Sequence, residues 1–263
     1  MKNLTDRDYL LQQQYRDASN LRARIALHQR FSTNPQGLPC WFVKHLVIPE
    51  DGRVLEVGCG PGGYWAEVAE MIPPSWHITL SDFSPGMVAE ARQRLAALDR
   101  SFTVIHADVQ DLPFPDESFD AVIANFMLFH VPDRPRALAE IHRVLKSNGR
   151  LFAMTNGKAH MREFHELVNR VAPGTVRSKE SGFSLENGAA QLAPWFDQIK
   201  LARYPDTLMV TEAEPLLAFI RSYVTGPSGE QERALREQIE NELAAHGALT
   251  ISKDSGMLTG VKR

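Results

Sequence analysis

The sequence predicts a doubly wound α/β fold, and three observations carry that expectation. Between residues 53 and 155, short apolar runs of strand character alternate with helical patterns, the order that builds a parallel sheet with right-handed crossovers. A glycine-rich string, Val57-Gly58-Cys59-Gly60-Pro61-Gly62-Gly63, joins the first run to the first helix. The second run ends on an acid, Asp82, about 20 residues beyond that string.

The elements follow in order. Leu11, Tyr15, Ala18, Leu21, Ile25 and His28 recur at intervals of three and four, one face of a helix, with Ser19 and Asn20 placed to break the stretch and cap a second helix. Pro35, Gly37 and Pro39 mark a turn, and a short helix is expected over 40–47. Strands are expected at 53–57, 77–81, 102–107, 119–125 and 150–155. The helices between them fall at 64–71, from Pro85 behind a Ser84 cap to about Leu98, and at 134–146 before Asn148-Gly149. Beyond, the pattern predicts a helix over 161–171, a loop over 173–182 and a helix from Ser184 to Trp195. It continues with strand character over 199–210 and helices over 212–223 and 230–246. The last segment, 248–262, alternates and turns at Asp254-Ser255-Gly256 like a hairpin.

Composition narrows the class. With 43% apolar and 23% charged residues the chain is globular. A net charge of −3 provides no broad attraction for nucleic acid or anionic lipid. Cys40 and Cys59 have no CxxC spacing and no histidine pair beside them, so no metal site is indicated. The start of the chain lacks the apolar stretch of a signal peptide, and no run of apolar residues is long enough to span a bilayer. The expectation is therefore a cytoplasmic protein with no membrane or nucleic-acid partner, its oligomeric state open.

The glycine string holds G-x-G-x-x-G at Gly58, Gly60 and Gly63 between a strand and a helix, where glycine lets the backbone turn and approach a ligand closely. In such a sheet Asp82 meets the two ribose hydroxyls of a nucleoside and can accept both protons. A nicotinamide dinucleotide uses the same carboxylate, so Asp82 does not choose between cofactors. Glu56 does. It stands just before Gly58, where a pyrophosphate gains nothing from a fixed negative charge, whereas a ligand bearing an ammonium and a sulfonium is attracted. S-adenosylmethionine carries both. At the end of the third strand, Asp108 can accept from an adenine amino group while the Val109 N–H donates to the ring.

These strings together resemble the class I SAM-dependent methyltransferases: Glu56-Val57-Gly58-Cys59-Gly60-Pro61-Gly62, Asp82-Phe83-Ser84-Pro85-Gly86-Met87, Ala107-Asp108 with Leu112-Pro113-Phe114, and Phe119-Asp120. The closest likeness is to the branch that includes the ubiquinone and menaquinone C-methyltransferases, over about residues 50–156. The resemblance implies a seven-stranded sheet, mostly parallel with the last strand antiparallel. It implies that Glu56, Gly58, Gly60 and Gly62 hold the methionine part of the cofactor, with Asn125 and Phe126 beside it. Asp82 would hold the ribose, Phe83 and Met87 the adenosine side, and Asp108 and Val109 the adenine. It also implies transfer of a methyl group to a small organic acceptor.

A sulfonium already makes its methyl electrophilic, so the protein must mainly hold a nucleophile in line with the C–S bond. A base is needed only when that nucleophile arrives protonated. His130, after the fourth strand, is the candidate, with His28, His160 and His165 in segments that could cover the site. The expected organisation is a helical N-terminal cap over 1–48 and a cofactor domain over 49–263, with cap insertions at about 157–182 and 211–247. Phe164, Phe183, Phe219 and Tyr223 are the aromatic residues expected in the caps, and the helices of the second insertion are expected to roof the acceptor pocket. Alternative readings are an RNA methyltransferase, for which Arg22, Arg24 and Arg30 form the only N-terminal basic cluster, and a catalytically inactive SAM-binding module. A nicotinamide-dependent dehydrogenase is disfavoured by Glu56 and Ala107-Asp108.

Overall fold

The computed structural model describes residues 5–173, 182–222 and 227–263. The chain begins with a single turn, α1 (Arg7–Tyr9), continued by a π turn over Leu10–Gln14, then α2 (Ser19–Phe31) and α3 (Leu38–Lys44). The alternating region runs β1 (Arg53–Val57), α4 (Gly63–Val68), β2 (His77–Asp82), α5 (Pro85–Leu95), β3 (Thr103–His106), β4 (Phe119–Asn125), α6 (Arg134–Val144) and β5 (Leu145–Asn156). The rest comprises α7 (Arg162–Val171), α8 (Gly188–Leu192), β6 (Phe196–Val210), α9 (Ala213–Arg221), α10 (Gly229–His246) and β7 (Leu249–Lys262). Among the described residues, no helix is long and apolar enough to cross a membrane.

All strands join one seven-stranded sheet in the order β3-β2-β1-β4-β5-β7-β6. β1 pairs in parallel with β2 and β4, and β7 runs antiparallel to both β5 and β6. The sheet is thus mixed as the resemblance implies. The strand order reverses between β1 and β4, and in such sheets the crevice for a ligand opens at the carboxyl ends beside that switch.

Alternation along each strand feeds two cores. Val54 faces a cluster with Trp65, Leu80 and Ala91, whereas Leu55 and Val57 face one with Leu138, Ile141 and Phe196. This is the period-two burial of a sheet covered on both sides. A third cluster lies beyond the sheet edge, where Leu27 and Phe31 of α2 meet Phe164, Val168, Leu216, Phe219, Leu235 and Ile239. It joins the N-terminal helices to α7, α9 and α10. One carboxylate fixes that joint. Asp206 accepts from the Ser32 hydroxyl at 2.7 Å, from the Thr33 and Asn34 amides at 3.1 Å each, and from the Lys253 ammonium at 2.5 Å.

The structure departs from the sequence expectation at several elements. Residues 248–262 are not a hairpin but one continuous strand. Ser255 and Gly256 are paired on both flanks, with Asn156 and Thr155 on one side and Tyr204 and Arg203 on the other. Small residues suit a strand hemmed in this way: a Cβ on Gly256 would stand 2.5 Å from the Ala202 carbonyl. The helix expected from Ser184 to Trp195 is only α8. The N-cap position of α8 is Asn187 rather than Ser184, whose amide donates to the Asn187 side chain at 2.7 Å. Helix α6 stops at Val144, because Leu145 already pairs with Phe119 in the sheet. Most of the loop expected over 173–182 lies outside the described residues.

Candidate cofactor and acceptor site

The loop after β1 is built by its glycines. Gly58, Gly60 and Gly62 have φ of +70°, +55° and +71°, the left-handed region that side chains disfavour. Their surroundings differ. Gly60 faces open space, with only Leu21 within reach of a Cβ, whereas a Cβ on Gly62 would press on Leu95 at 3.1 Å. Gly62 thus serves the turn and the packing on α5, and it does not line the cavity that the other predicted cofactor residues share.

That cavity has a volume of about 1240 Å³ and sits over the carboxyl ends of β1, β2 and β4. It exceeds the ~300–1,000 Å³ usual for one small ligand, leaving room for a cofactor and an acceptor together. Glu56, Gly58, Gly60, Asp82, Phe83, Met87, Asp108, Val109, Asn125, Phe126 and His130 all line it. Met87, in the first turn of α5, is also a buried residue, at 1% exposure. Phe126 holds a left-handed φ of +53° at the end of β4, an unfavourable geometry for a bulky side chain that clusters at functional sites.

Glu56 is buried, and its carboxylate accepts from Trp65 Nε1 at 2.5 Å and from Asn125 Nδ2 at 2.9 Å. Burial pushes its carboxyl up to about 8, against the opposing pull of those two hydrogen bonds. Asn125 Oδ1, held beside it, is buried without a hydrogen-bond partner. A carboxylate short of positive charge and an orphaned amide oxygen together fit an ammonium group. Asp82 accepts from the Gly60 amide on one oxygen and the Ser84 amide on the other, each at 2.8 Å. Each oxygen keeps a lone pair, as two vicinal hydroxyls require. Burial holds the Asp82 carboxyl above its usual range, more than those two amides lower it. Asp108 is engaged by the Gln110 amide at 2.9 Å and by Arg7 at 2.7 Å. Burial pushes it up, but these hydrogen bonds outweigh that and hold it below the usual carboxylate range. The residues therefore fit the chemistry of S-adenosylmethionine: Glu56 and Asn125 offer acceptors suited to an ammonium, Asp82 to vicinal hydroxyls and Asp108 to an amino group.

The wall opposite the sheet comes from the N-terminal residues, which sequence reasoning treated as a covering helix. After the π turn the chain bends over residues 15–18 before α2 starts at Ser19. The bend aims Tyr15 at the sheet, and its hydroxyl meets His130 Nε2 at 2.8 Å. Burial raises the Tyr15 phenol, while Arg24 nearby draws it down. The Arg24 guanidinium donates to the Ser222 hydroxyl at 2.9 Å and carbonyl at 2.8 Å. Arg22 and Arg30 pair with Glu90 and Glu212. Tyr15, Arg7 and Arg24 all line the cavity. From sequence, Tyr15 on an apolar helical face reads as core, Arg24 is one of a basic cluster, and Arg7 carries no signal.

His28, His160 and His165 line the same cavity further out, with Lys253, Ser255 and Phe219. Burial and the Lys253 charge hold His28 neutral, its pKa near 3. Of the described aromatic residues expected in the caps, Phe219 reaches the cavity and Phe164 and Phe183 do not. Phe164 is buried behind it at a ring distance of 5.1 Å, and Phe183 lies in the core on α6's side of the sheet. Tyr223 falls outside the described residues. Helix α10 packs on α7 and α9 and contributes nothing to the lining, so α9 alone of the two helices borders the chamber. No cluster of His, Cys, Asp or Glu among the described residues could hold a metal ion.

Comparison with known proteins agrees with this fold. Residues 55–153 match the family model described as a methyltransferase domain. A demethylmenaquinone methyltransferase of Listeria monocytogenes is 34% identical over 128 residues, covering 48% of this chain and 54% of that protein. The ubiquinone/menaquinone biosynthesis C-methyltransferase of Geobacter sulfurreducens is 38% identical over 129 residues, covering 48% and 50%. The chain thus spans about half the length of the curated relatives it matches. Among solved structures, phosphoethanolamine N-methyltransferase 2 of Haemonchus contortus, in complex with phosphomonomethylethanolamine and S-adenosylhomocysteine, shares the fold. Its TM-score is 0.61 at 19% identity, over 100% of this chain and 60% of that one. Residues 55–153 therefore carry a SAM-dependent methyltransferase domain, similar in sequence to the matching half of the demethylmenaquinone and ubiquinone/menaquinone C-methyltransferases.

Proposed function

We propose that the protein transfers the methyl group of S-adenosylmethionine to a small organic acceptor held between the sheet edge, the N-terminal residues and α9. The observation that carries this reading is the single cavity in which the cofactor residues Glu56, Asp82 and Asn125 meet the hydrogen-bonded pair Tyr15–His130.

When bound, S-adenosylmethionine supplies an electrophilic methyl on a sulfonium. Glu56, with Trp65 and Asn125 around it, binds the ammonium; Asp82 orients the ribose and so the sulfur. Asn125 and Phe126 border the methionine part. Residues of the N-terminal segment and α9 exclude water and hold the acceptor's nucleophilic atom in line, the largest contribution a methyltransferase needs to make. Tyr15 and His130 supply the proton path. An acceptor that arrives as X–H gives its proton to the Tyr15 oxygen while Tyr15 passes its own to His130 Nε2. The acceptor gains the methyl, Tyr15 is unchanged, and one proton resides on His130. His130 is thus the base, and Tyr15 is the group nearer the acceptor. The names of the relatives make a demethylmenaquinone-type ring the first acceptor to try, with polar aryl and amine acceptors beside it because His28, His160 and Lys253 line the outer chamber.

The test is calorimetric binding of S-adenosylhomocysteine followed by transfer from methyl-labelled cofactor to an acceptor panel. Micromolar binding and label in product are expected, with no measurable binding of NAD. A chain that prefers NAD, or binds the cofactor and labels no acceptor from any class, would defeat the reading.

A further inference from the structure

The adenine end of the cavity is already filled by the chain itself. The Arg7 guanidinium carbon lies 4.1 Å from the centroid of the Phe83 ring, and its Nη2 donates to Asp108 Oδ2 at 2.7 Å. Phe83 has a second neighbour, His106, whose ring stacks on it at 6.3 Å and whose Nε2 meets the Phe83 carbonyl at 2.9 Å. Arg7 and Phe83 line the cavity and His106 does not. Arg7 therefore lies on the ring face that looks into the cavity.

A guanidinium and an adenine amidine edge present the same chemistry to this corner. Both are flat, both stack on an aromatic face, and both point N–H donors at a carboxylate in their own plane. Phe83 and Asp108 cannot serve both at once. We propose that Arg7 is a stand-in for the cofactor's adenine, holding its seat in the free protein so that cofactor entry requires α1 to lift. The inference rests on the cofactor reading above.

The surrounding chain is built for such a movement. Residues 7–14 form one α turn continued as a π turn, a geometry less regular than α-helix. They are followed by an attachment to α5 and its cap: the Ser84 hydroxyl donates to the Tyr15 carbonyl at 2.8 Å, and the Ala18 amide donates to Glu90 at 2.9 Å. Arg7 can leave Asp108 by motion of the first turns while Tyr15 stays against His130. Both partners of the ion pair are partly exposed, at 43% and 24% of the side chain, so the contact is weak enough for a ligand to displace. A population of self-occupied sites lowers the apparent affinity by the fraction it withdraws.

Arg7→Ala and Arg7→Lys test this against the wild type, with S-adenosylhomocysteine and adenosine as probes in calorimetry and melting temperature as the check on folding. Arg7→Ala should bind both probes more tightly, by about threefold to tenfold, the scale of one exposed ion pair plus one cation–π contact. Arg7→Lys, which keeps the charge but not the flat stacking group, should fall between. In a crystal structure with S-adenosylhomocysteine, the Arg7 side chain should be off the inner face of Phe83. Weaker binding by Arg7→Ala would make Arg7 a clamp upon adenine and overturn the inference, as would unchanged affinity. Should the wild type itself bind no S-adenosylhomocysteine, the cofactor reading fails first and this inference with it, a result recognisable without any variant.

Discussion

At the scale of single residues, the site's chemistry rests on groups whose ionisation the fold has moved. Glu56 is the clearest, its carboxyl raised to about 8 by burial. A carboxyl raised by folding stays protonated in the native state while its unfolded counterpart has ionised. The native state then binds more protons, and stability falls as pH climbs from the usual carboxylate range to about 8. An ammonium beside Glu56 reverses the preference and drives the proton off. Binding of S-adenosylhomocysteine at pH 7 should therefore release about one proton, read as a dependence of the calorimetric heat on buffer ionisation enthalpy. Affinity should rise up to about tenfold per pH unit below pH 8 and level off above it. Glu56→Gln should abolish both effects; a variant that keeps the same pH slope would place the titrating group elsewhere. The proton pair makes a second prediction. Tyr15→Phe and His130→Ala should leave cofactor affinity nearly unchanged and lower turnover by roughly 10²-fold or more, since a positioned base contributes about 10²–10⁴. The double variant should lose little beyond either single one, because the two act through one hydrogen bond. Additive losses would separate them.

At the scale of elements, the sequence was most readable where local chemistry decides structure. β1 through β5, the Ser84 cap and the glycine loop follow from periodicity and turn residues, and Glu56, Asp82 and Asp108 follow from their places at strand ends. What the sequence concealed is long-range. Nothing local says that 248–262 runs straight, since its Asp-Ser-Gly string serves a turn or a crowded strand equally well. Nothing local says that Tyr15 crosses 115 positions in the chain to meet His130. The link between β6 and β7 shows how the two kinds of information combine. Val210 pairs with Leu249, so these strands are already poised to form a hairpin, and residues 211–247 are an excursion from its tip. α9 borders the cavity through Phe219 and holds Arg24 through Ser222, while α10 supports it from outside. Replacing 211–247 by a short Gly/Ser turn should therefore keep the sheet and S-adenosylhomocysteine binding and abolish turnover. Because Leu27 and Phe164 lose their cover, a milder variant is the more decisive one. Phe219→Leu should raise the acceptor KM severalfold without changing cofactor affinity; a change confined to the cofactor would put α9 on the wrong side of the site.

At the scale of the whole molecule, the N-terminal residues divide into a part that closes the cavity and a part that belongs to the core. Residues 5–18 contribute Arg7, Leu10, Leu11 and Tyr15 to the cavity wall. They are tied down by hydrogen bonds to Ser84 and Glu90 and by the burial of Tyr9, Leu10 and Ala18. Residues 19–37 behave differently. Leu27 and Phe31 are buried in the third hydrophobic cluster, and Ser32, Thr33 and Asn34 are held by Asp206, which is itself fixed by Lys253. Taking out a buried Leu and Phe costs about 2–5 kcal/mol each. Removing the Ser32, Thr33 and Asn34 donors from the buried Asp206 adds to that. Two deletions should therefore part company. A chain begun at Ser19 should fold with a melting temperature lowered by only a few degrees. It should still bind S-adenosylhomocysteine, since Glu56, Asp82 and Asn125 remain, and should transfer no methyl because Tyr15 is gone and water reaches the chamber. A chain begun at Leu38 should fail to give a cooperative melt, because the face that Leu27 and Phe31 cover on α7 and α9 is left in water. Equal melting temperatures for the two deletions would mean that α2 is an ornament on a complete domain. Equal loss of folding would mean that the closing segment is as much a part of the core as the helix that follows it.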